Sequence, residues 1–186
     1  AERPGEEGLS EAAAHLALKG TPEQDGAALA RSLGKLGWSA QLGAEDDFAL
    51  ISAGGLSRNA PAFFHQLAKV LGKASFPENE VALWKDNTAQ KLKALRSDPE
   101  FLMDERLKAE LYGPEHPYGR PLMTDEALAG VDAEKLAAFR ARAYSPQGAT
   151  LVLVGDLNPD EARDMLEDTL KAWKGGGEAA QVPQPG

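Results

Sequence analysis

Two residues one helical turn apart near the N-terminus have side chains that can bind a divalent metal ion. Glu11 and His15 lie in the segment SEAAAHLALKGT, and their spacing places both side chains on one face of a helix. Ala14 lies between them and has no group that accepts a proton. One carboxylate and one imidazole hold a metal ion only weakly, so Glu11 and His15 alone do not predict a hydrolytic centre.

The other two histidines lie in contexts that predict structural roles. His65 is in an amphipathic stretch beside Gln66, which indicates a surface or boundary position. His116 is in a loop with three prolines, where we expect it to fix a turn. The sequence contains neither a phosphate-binding glycine motif nor a serine in the context of a nucleophile elbow.

The composition excludes several classes of site. The chain has 186 residues and no cysteine, which rules out disulfides, cysteine-ligated zinc, iron–sulfur clusters and thiol nucleophiles. Its 20 lysines and arginines against 29 acidic residues give a net charge of −9, which argues against a nucleic-acid partner. No apolar stretch predicts a membrane span, and no signal-peptide pattern is present. Because the chain begins without methionine, we interpret it as a mature or excised segment.

Hydrophobic periodicity predicts a helix-rich chain with a few strands. Alternation over Trp38–Ala44 and Phe48–Ala53 predicts a β-hairpin, and the apolar run Ala149–Val154 predicts a central strand covered on both faces. Helical spacing, capping residues and proline positions predict seven helices, which begin at or next to Gly8, Asp25, Asn59, Pro77, Asp98, Asp132 and Asn158.

These elements predict an α+β fold in which a mixed or antiparallel sheet packs against helices. Three strands are too few to cover so many helices, so we expect the first strand or strands of the sheet to lie outside the chain. Residues 1–174 are predicted to form a single domain. The glycine- and proline-rich residues 175–186 are predicted to be a linker or tail.

Several motifs resemble the pitrilysin/insulinase-type zinc peptidases, the inverzincins, which include the mitochondrial processing peptidase. The resemblance covers nearly the whole chain and implies the fold of a processing-peptidase-like metallohydrolase domain. The motifs that carry it are Gly8-Leu9 followed by His15 and Lys19-Gly20-Thr21, then His116-Pro117-Tyr118-Gly119-Arg120-Pro121, and Tyr144-Ser145-Pro146 leading to Leu151-Val152-Leu153-Val154-Gly155-Asp156.

The chain departs from this family at the positions that would hold zinc. Catalytic members carry H-x-x-E-H on the first helix and a further glutamate ligand downstream. The corresponding positions here are Glu11, Ala14 and His15, and the downstream position falls on Gln90 and Lys91. An ammonium at Lys91 would repel a metal ion, and Ala14 removes the general base. We therefore interpret the chain as a family member without the zinc signature, and we expect no cofactor.

The resemblance also implies a substrate-binding pair on the non-catalytic lobe. In the family that lobe contributes an arginine and a tyrosine seven residues apart. Arg31 and Trp38 have this spacing and are candidates for peptide contacts. The alternative is an exposed helical arginine and a tryptophan packed in the core.

The leading hypothesis is a non-catalytic domain or subunit of such a peptidase, which contributes substrate binding and chamber structure. Its partner would be a catalytic lobe on the same polypeptide or on a separate chain, or a second copy through self-association, with peptide as substrate. One alternative is an active zinc-dependent endopeptidase domain whose degenerate site uses Glu11 and His15. Another is a purely architectural subunit.

Overall fold

A computed structural model of the chain describes residues 2–171, 173 and 174. None of its described helices is both long and apolar enough to cross a bilayer. The predicted linker at 175–186 lies outside the described residues. In chain order the elements are α1 (Leu9–Ala17), β1 (Gly20–Thr21), β2 (Gln24–Asp25), α2 (Gly26–Lys35), β3 (Trp38–Ala44), β4 (Ala49–Gly55), a 3-10 turn (Ser57–Asn59), α3 (Ala60–Lys73), α4 (Glu78–Leu95), α5 (Pro99–Tyr112), a second 3-10 turn (Pro117–Gly119), α6 (Asp125–Ala129), α7 (Ala133–Ala143) and α8 (Pro159–Leu170).

Helix α1, which carries Glu11 and His15, lies in the hydrophobic core. Its small residues Ala12 and Ala13 are fully buried, which lets neighbouring elements approach the helix closely. The helix starts after Gly8, whose φ of 85° favours glycine. A Cβ added at Gly8 would lie 1.7 Å from Met123 Cε. The backbone conformation therefore favours glycine at this position, and a larger residue would also displace the flexible end of the Met123 side chain.

The segment before α1 is held by an ion pair to α7. Arg142 Nη2 donates to Glu6 Oε2 at 2.6 Å, and the backbone N–H of Arg3 donates to the same carboxylate at 2.8 Å. Burial alone would raise the pKa of the Glu6 carboxyl, but these hydrogen bonds and the two arginine charges outweigh it and hold the pKa below its usual value. The entry to α1 is thereby fixed in position.

The β3–β4 hairpin has the register expected for an antiparallel pair. Trp38 lies opposite Gly55, and Ala44 lies opposite Ala49. Strand β3 packs against α1 and α2, so the hairpin is attached to the helix that carries the candidate site. One face of the hairpin contributes to a cluster around Phe63, together with residues of α8.

The predicted α+β class and the seven predicted helices are confirmed. Each of those helices begins one residue after its predicted start or capping position. The short helix α6 was not predicted, because five residues are too few for a periodic signal; the Thr124 hydroxyl caps it by accepting from the Ala127 N–H at 3.0 Å. The proline-rich loop, predicted to be irregular, contains the 3-10 turn at Pro117–Gly119.

The predicted central strand at Ala149–Val154 is wrong for the described chain. These residues pair with no described strand, and Val152 and Val154 are 78% and 94% exposed. A helix satisfies its backbone hydrogen bonds internally, whereas a strand requires a neighbour. Only the four short strands above form ladders among the described residues, as two separate pairs.

Candidate functional site

Helices α1 and α4 bring together two of the residues predicted at the degenerate metal site. Lys91 Nζ on α4 donates to Glu11 Oε1 on α1 at 3.0 Å, although the two residues are 80 positions apart in sequence. Trp84 and Leu92 of α4 are buried in the same core cluster as Ala12 and Ala13 of α1, which keeps the two helices adjacent. The Glu11–Lys91 ion pair is therefore positioned by the core and not by local sequence.

The other two predicted positions do not contribute metal-binding groups to this pair. Ala14 is 2% exposed and presents only a methyl group. The His15 side chain is exposed and forms no hydrogen bond with any described residue. Helix α1 turns His15 toward solvent, away from the buried face that carries Ala12 and Ala13.

The side chains of Glu11, His15 and Lys91 do not form a site for a catalytic zinc ion. Zinc needs three protein ligands and a carboxylate to accept a proton from its water, but the carboxylate of Glu11 already binds an ammonium. In the described part of the chain, no group of three or more His, Asp or Glu side chains is arranged to hold a metal ion. The expectation that the chain needs no cofactor stays a prediction.

A cleft of about 390 Å³ opens beside Glu11. It lies between α1, the tip of the β3–β4 hairpin, α5 and the proline-rich turn. Phe48, which is 59% exposed, and Phe101 give it an apolar wall. Its charged lining is mostly acidic and comprises Glu2, Glu11, Glu45, Asp46, Asp47, Asp104 and Glu105 against Lys108 and Arg120.

One hydrogen bond in the cleft lining joins the proline-rich turn to the hairpin tip. The Tyr118 hydroxyl donates to Asp47 Oδ1 at 2.6 Å. This hydrogen bond, burial and the nearby negative charges raise the pKa of the Tyr118 hydroxyl to about 12. The phenol therefore stays protonated, and remains a donor, throughout the physiological range of pH.

His116 organises the turn that presents Tyr118. It is 5% exposed, its Nδ1 accepts from the Tyr118 backbone N–H at 3.1 Å, and its ring stacks on Tyr112 with centroids 5.0 Å apart. This geometry agrees with the predicted turn-fixing role of His116. His65 is exposed on α3, also as predicted.

Tyr144 lines the base of the cleft with a hydroxyl that is shielded from solvent. Its Oη has no hydrogen-bond partner among the described residues. Burial raises the pKa of Tyr144 to about 12. The group is consequently neutral at physiological pH.

The predicted substrate-binding residues Arg31 and Trp38 lie in different surroundings, and no hydrogen bond or cation–π contact joins them. Arg31 is exposed on α2. The Trp38 indole stacks on Phe63 with ring centroids 4.1 Å apart, and its N–H donates to the Leu56 carbonyl at 3.0 Å. This geometry favours a packing role for Trp38. Their contribution to substrate binding stays a prediction.

The sequence did not identify the residues that shape the cleft. Asp47 lies between the two predicted hairpin strands, and Tyr118 belongs to one of the motifs that resemble the family. They are 71 residues apart, so no local spacing indicates that they meet. The acidic segment Glu45–Asp47 was the one available signal, since three consecutive acidic residues give a hairpin tip a strong negative charge.

Comparisons with known proteins agree with the resemblance in the sequence. Residues 1–126 match the family model "Insulinase (Peptidase family M16)", and residues 130–186 match "Peptidase M16 inactive domain". The uncharacterized zinc protease YmxG of Bacillus subtilis is 23% identical over 185 residues, which are 99% of this chain and 45% of that protein. The chain thus spans less than half of this relative.

Solved structures show the same fold. The crystal structure of a peptidase M16 inactive domain from Pseudomonas fluorescens is 25% identical, with a TM-score of 0.89 over 97% of this chain and 44% of that one. The periplasmic protease PqqL from Escherichia coli is 20% identical, with a TM-score of 0.79 over 98% of this chain and 21% of that one. The family model and the Pseudomonas fluorescens structure, both described as an inactive domain, support the interpretation as a non-catalytic domain. Because the insulinase model covers 126 of the 186 residues, the chain belongs to the pitrilysin/insulinase family of peptidases, family M16, as a member without the zinc signature.

Proposed function

We propose that this chain is a non-catalytic domain or subunit of an M16 peptidase that binds substrate peptide and forms part of a chamber beside a catalytic lobe. The observation that carries the proposal is the Glu11–Lys91 ion pair, with its 3.0 Å separation. The Lys91 ammonium neutralises the charge of the Glu11 carboxylate, as a bound metal ion would. Ala14 provides no proton acceptor at the position of the general base. Loss of a general base typically lowers the rate of such a reaction by about 10²–10⁴-fold.

A catalytic partner is supported by the lengths of the matched proteins. This chain spans 45% of the Bacillus subtilis relative and 21% of PqqL, so each of them has room for further domains. A lobe with an intact H-x-x-E-H would supply the chemistry that this chain lacks. Interfaces between domains of one chain typically bury about 600–1,500 Å².

Peptide binding is supported by the shape and charge of the cleft beside Glu11. A volume of about 390 Å³ with an aromatic wall accommodates a few residues of an extended chain. The excess of carboxylates in the lining favours peptides that carry lysine or arginine. The peptide would thus be held next to the position where a catalytic member holds its metal ion.

The absence of catalysis is tested on the purified chain by zinc analysis after dialysis and by cleavage of quenched fluorescent peptides. We expect less than one zinc per chain and no cleavage above background. Chelator-sensitive cleavage that disappears in the His15→Ala variant would contradict the proposal and favour the degenerate-site endopeptidase.

Peptide binding is tested by fluorescence anisotropy with a labelled basic peptide and a neutral peptide of equal length. We expect tighter binding of the basic peptide, weakened by salt. Replacing Glu45 and Asp46 by their amides should weaken binding about 2–5-fold per charge, as partly exposed charge pairs do. The matched control is Asp164→Asn on α8, an exposed acidic residue outside the cleft. If no peptide of either kind binds, the purely architectural alternative is favoured.

A further inference from the structure

Helix α5 forms one wall of the cleft beside Glu11 and is only loosely attached to the rest of the chain. Among the described α-helices it alone has no buried residue. Its residues Phe101 and Glu105 line the cleft. On the opposite face of the helix, Met103 and Leu107 are 65% and 53% exposed. A helix with so few buried contacts separates from its neighbours at a low cost in free energy.

Helix α5 and the proline-rich turn after it form one unit, residues 98–122, which we call the flap. The Leu122 backbone N–H donates to Glu105 Oε1 at 2.8 Å, which joins the end of the turn to the middle of the helix. The rings of Tyr112 and Tyr118 meet edge to face, with centroids 5.4 Å apart. Both ion pairs of α5 lie within the helix, so they hold it together without attaching it to the body of the domain.

The two ends of the flap are tied together at one place. Arg96, the C-cap residue of α4, donates from Nη2 to the Met123 carbonyl at 3.3 Å and from Nη1 to Asp125 Oδ1 at 2.8 Å. Met123 is 3% exposed, and its side chain lies against Gly8 at the start of α1. The chain therefore leaves the body of the domain and returns to it at one anchored point, as a hinged segment does.

Two side-chain hydrogen bonds join the flap to described residues beyond this hinge. One is the bond from the Tyr118 hydroxyl to Asp47 Oδ1 at the hairpin tip, and the other runs from Arg120 Nη1 to the Glu2 carbonyl at 3.3 Å. The Tyr118–Asp47 bond is exposed to solvent. Because the net contribution of such a bond to stability is small, it can break without unfolding the chain.

We propose that the flap is a hinged wall that controls access to the cleft, and that the Tyr118–Asp47 hydrogen bond is the latch that holds it at the hairpin tip. When the latch breaks, the flap swings away from the hairpin about Arg96 and Met123, and a peptide enters between the two walls. This proposal rests on the proposed function for its ligand. The rate of peptide entry then follows the fraction of chains in which the flap is open.

Distance measurements in the free chain test the hinge without any peptide. The sequence has no cysteine, so spin labels can be attached at Glu115→Cys on the flap and Ser52→Cys on the hairpin, which are both exposed and outside the cleft lining. We expect one main distance in the labelled natural chain. Tyr118→Phe with Arg120→Met should add a longer distance, because each lost hydrogen bond should raise the ratio of open to latched chains about 2–10-fold. An unchanged distance distribution would overturn the proposal. If the combined variant does not fold, Tyr118→Phe alone decides by the same criterion.

Stopped-flow association of the labelled basic peptide tests whether the flap controls the cleft. Tyr118→Phe should raise the association rate constant about 2–10-fold. The matched control is Tyr112→Phe, which removes a hydroxyl from the same group of rings but leaves the latch intact, so its rate constant should equal that of the natural chain. Equal rate constants in the two variants would overturn the proposal and leave peptide binding itself unaffected. If the distances change but no peptide binds, the hinge is supported and the proposed function is contradicted.

Discussion

Restoring the zinc signature is the sharpest test of how the degenerate site is organised. The variant combines Glu11→His, Ala14→Glu and Lys91→Glu, which places two imidazoles one helical turn apart with a carboxylate between them and replaces the ammonium by a third ligand. Lys91 Nζ already lies 3.0 Å from Glu11, so a carboxylate at position 91 is within reach of a metal held by α1. We expect this variant to bind one zinc ion per chain.

The expected stabilisation follows from ligand linkage. Zinc at 100 times its dissociation constant adds about 2.7 kcal/mol to the free energy of unfolding. For a domain of this size about 1 kcal/mol corresponds to 2–4 °C, so the melting temperature should rise by roughly 5–11 °C on adding zinc. Ala14 is 2% exposed, so a glutamate there costs about 1–3 kcal/mol by overpacking, and the removal of its carboxylate from water adds to this cost. The metal-free variant should therefore melt below the natural chain.

The assay is thermal unfolding with and without zinc, combined with zinc analysis after dialysis. The control carries Glu11→His and Ala14→Glu but retains Lys91, whose ammonium should prevent zinc binding and the rise in melting temperature. A folded triple variant that neither gains zinc nor shifts its melting temperature would refute the assignment of Lys91 to the third ligand position.

Three further outcomes follow from the same structure. Lys91→Met should lower the free energy of unfolding by no more than about 1 kcal/mol in denaturant titrations, because its ion pair with Glu11 is half exposed. As a control, Lys108→Met removes a similarly exposed ion pair to Asp104 and should have an effect of similar size. Phe63→Ala should lower it by about 3–5 kcal/mol in the same titrations, because the ring is 1% exposed. Spectrophotometric titration should give Tyr118 a pKa of about 12, shifted toward 10 in Asp47→Asn. Since this pKa is raised, the stabilisation from the hydrogen bond is complete below pH 10 and declines between pH 10 and 12.

The helices were predictable because their signals are local. Asn158 Oδ1, for example, accepts from the Asp160 N–H at 2.9 Å, and the capping residue and the proline after it mark the start of α8 in the sequence itself. The apolar run Ala149–Val154 was predicted to be a strand by the same kind of local signal. That prediction was wrong because a strand forms only with a hydrogen-bonded neighbour, and local sequence does not show whether a neighbour is present.

The candidate site was only partly predictable. Glu11 and His15 share a helix, so their spacing could be interpreted directly. Lys91 came only from the family resemblance, and its contact with Glu11 depends on core packing between α1 and α4. The bond between Asp47 and Tyr118 had no sequence signal, because a hairpin tip and a distant turn meet only in the folded chain.

The substitutions at the degenerate site are electrostatically consistent with one another. Glu11 faces a cleft whose lining is already strongly acidic, so its carboxylate is stabilised by a nearby positive charge. A metal ion would supply that charge only while it is bound. The Lys91 ammonium belongs to the chain itself and lies 3.0 Å from the Glu11 carboxylate. Reverting Lys91 alone would therefore leave two carboxylates facing each other without a cation. For this reason Lys91→Glu by itself should lower the free energy of unfolding of the metal-free chain in denaturant titrations, by more than Lys91→Met does.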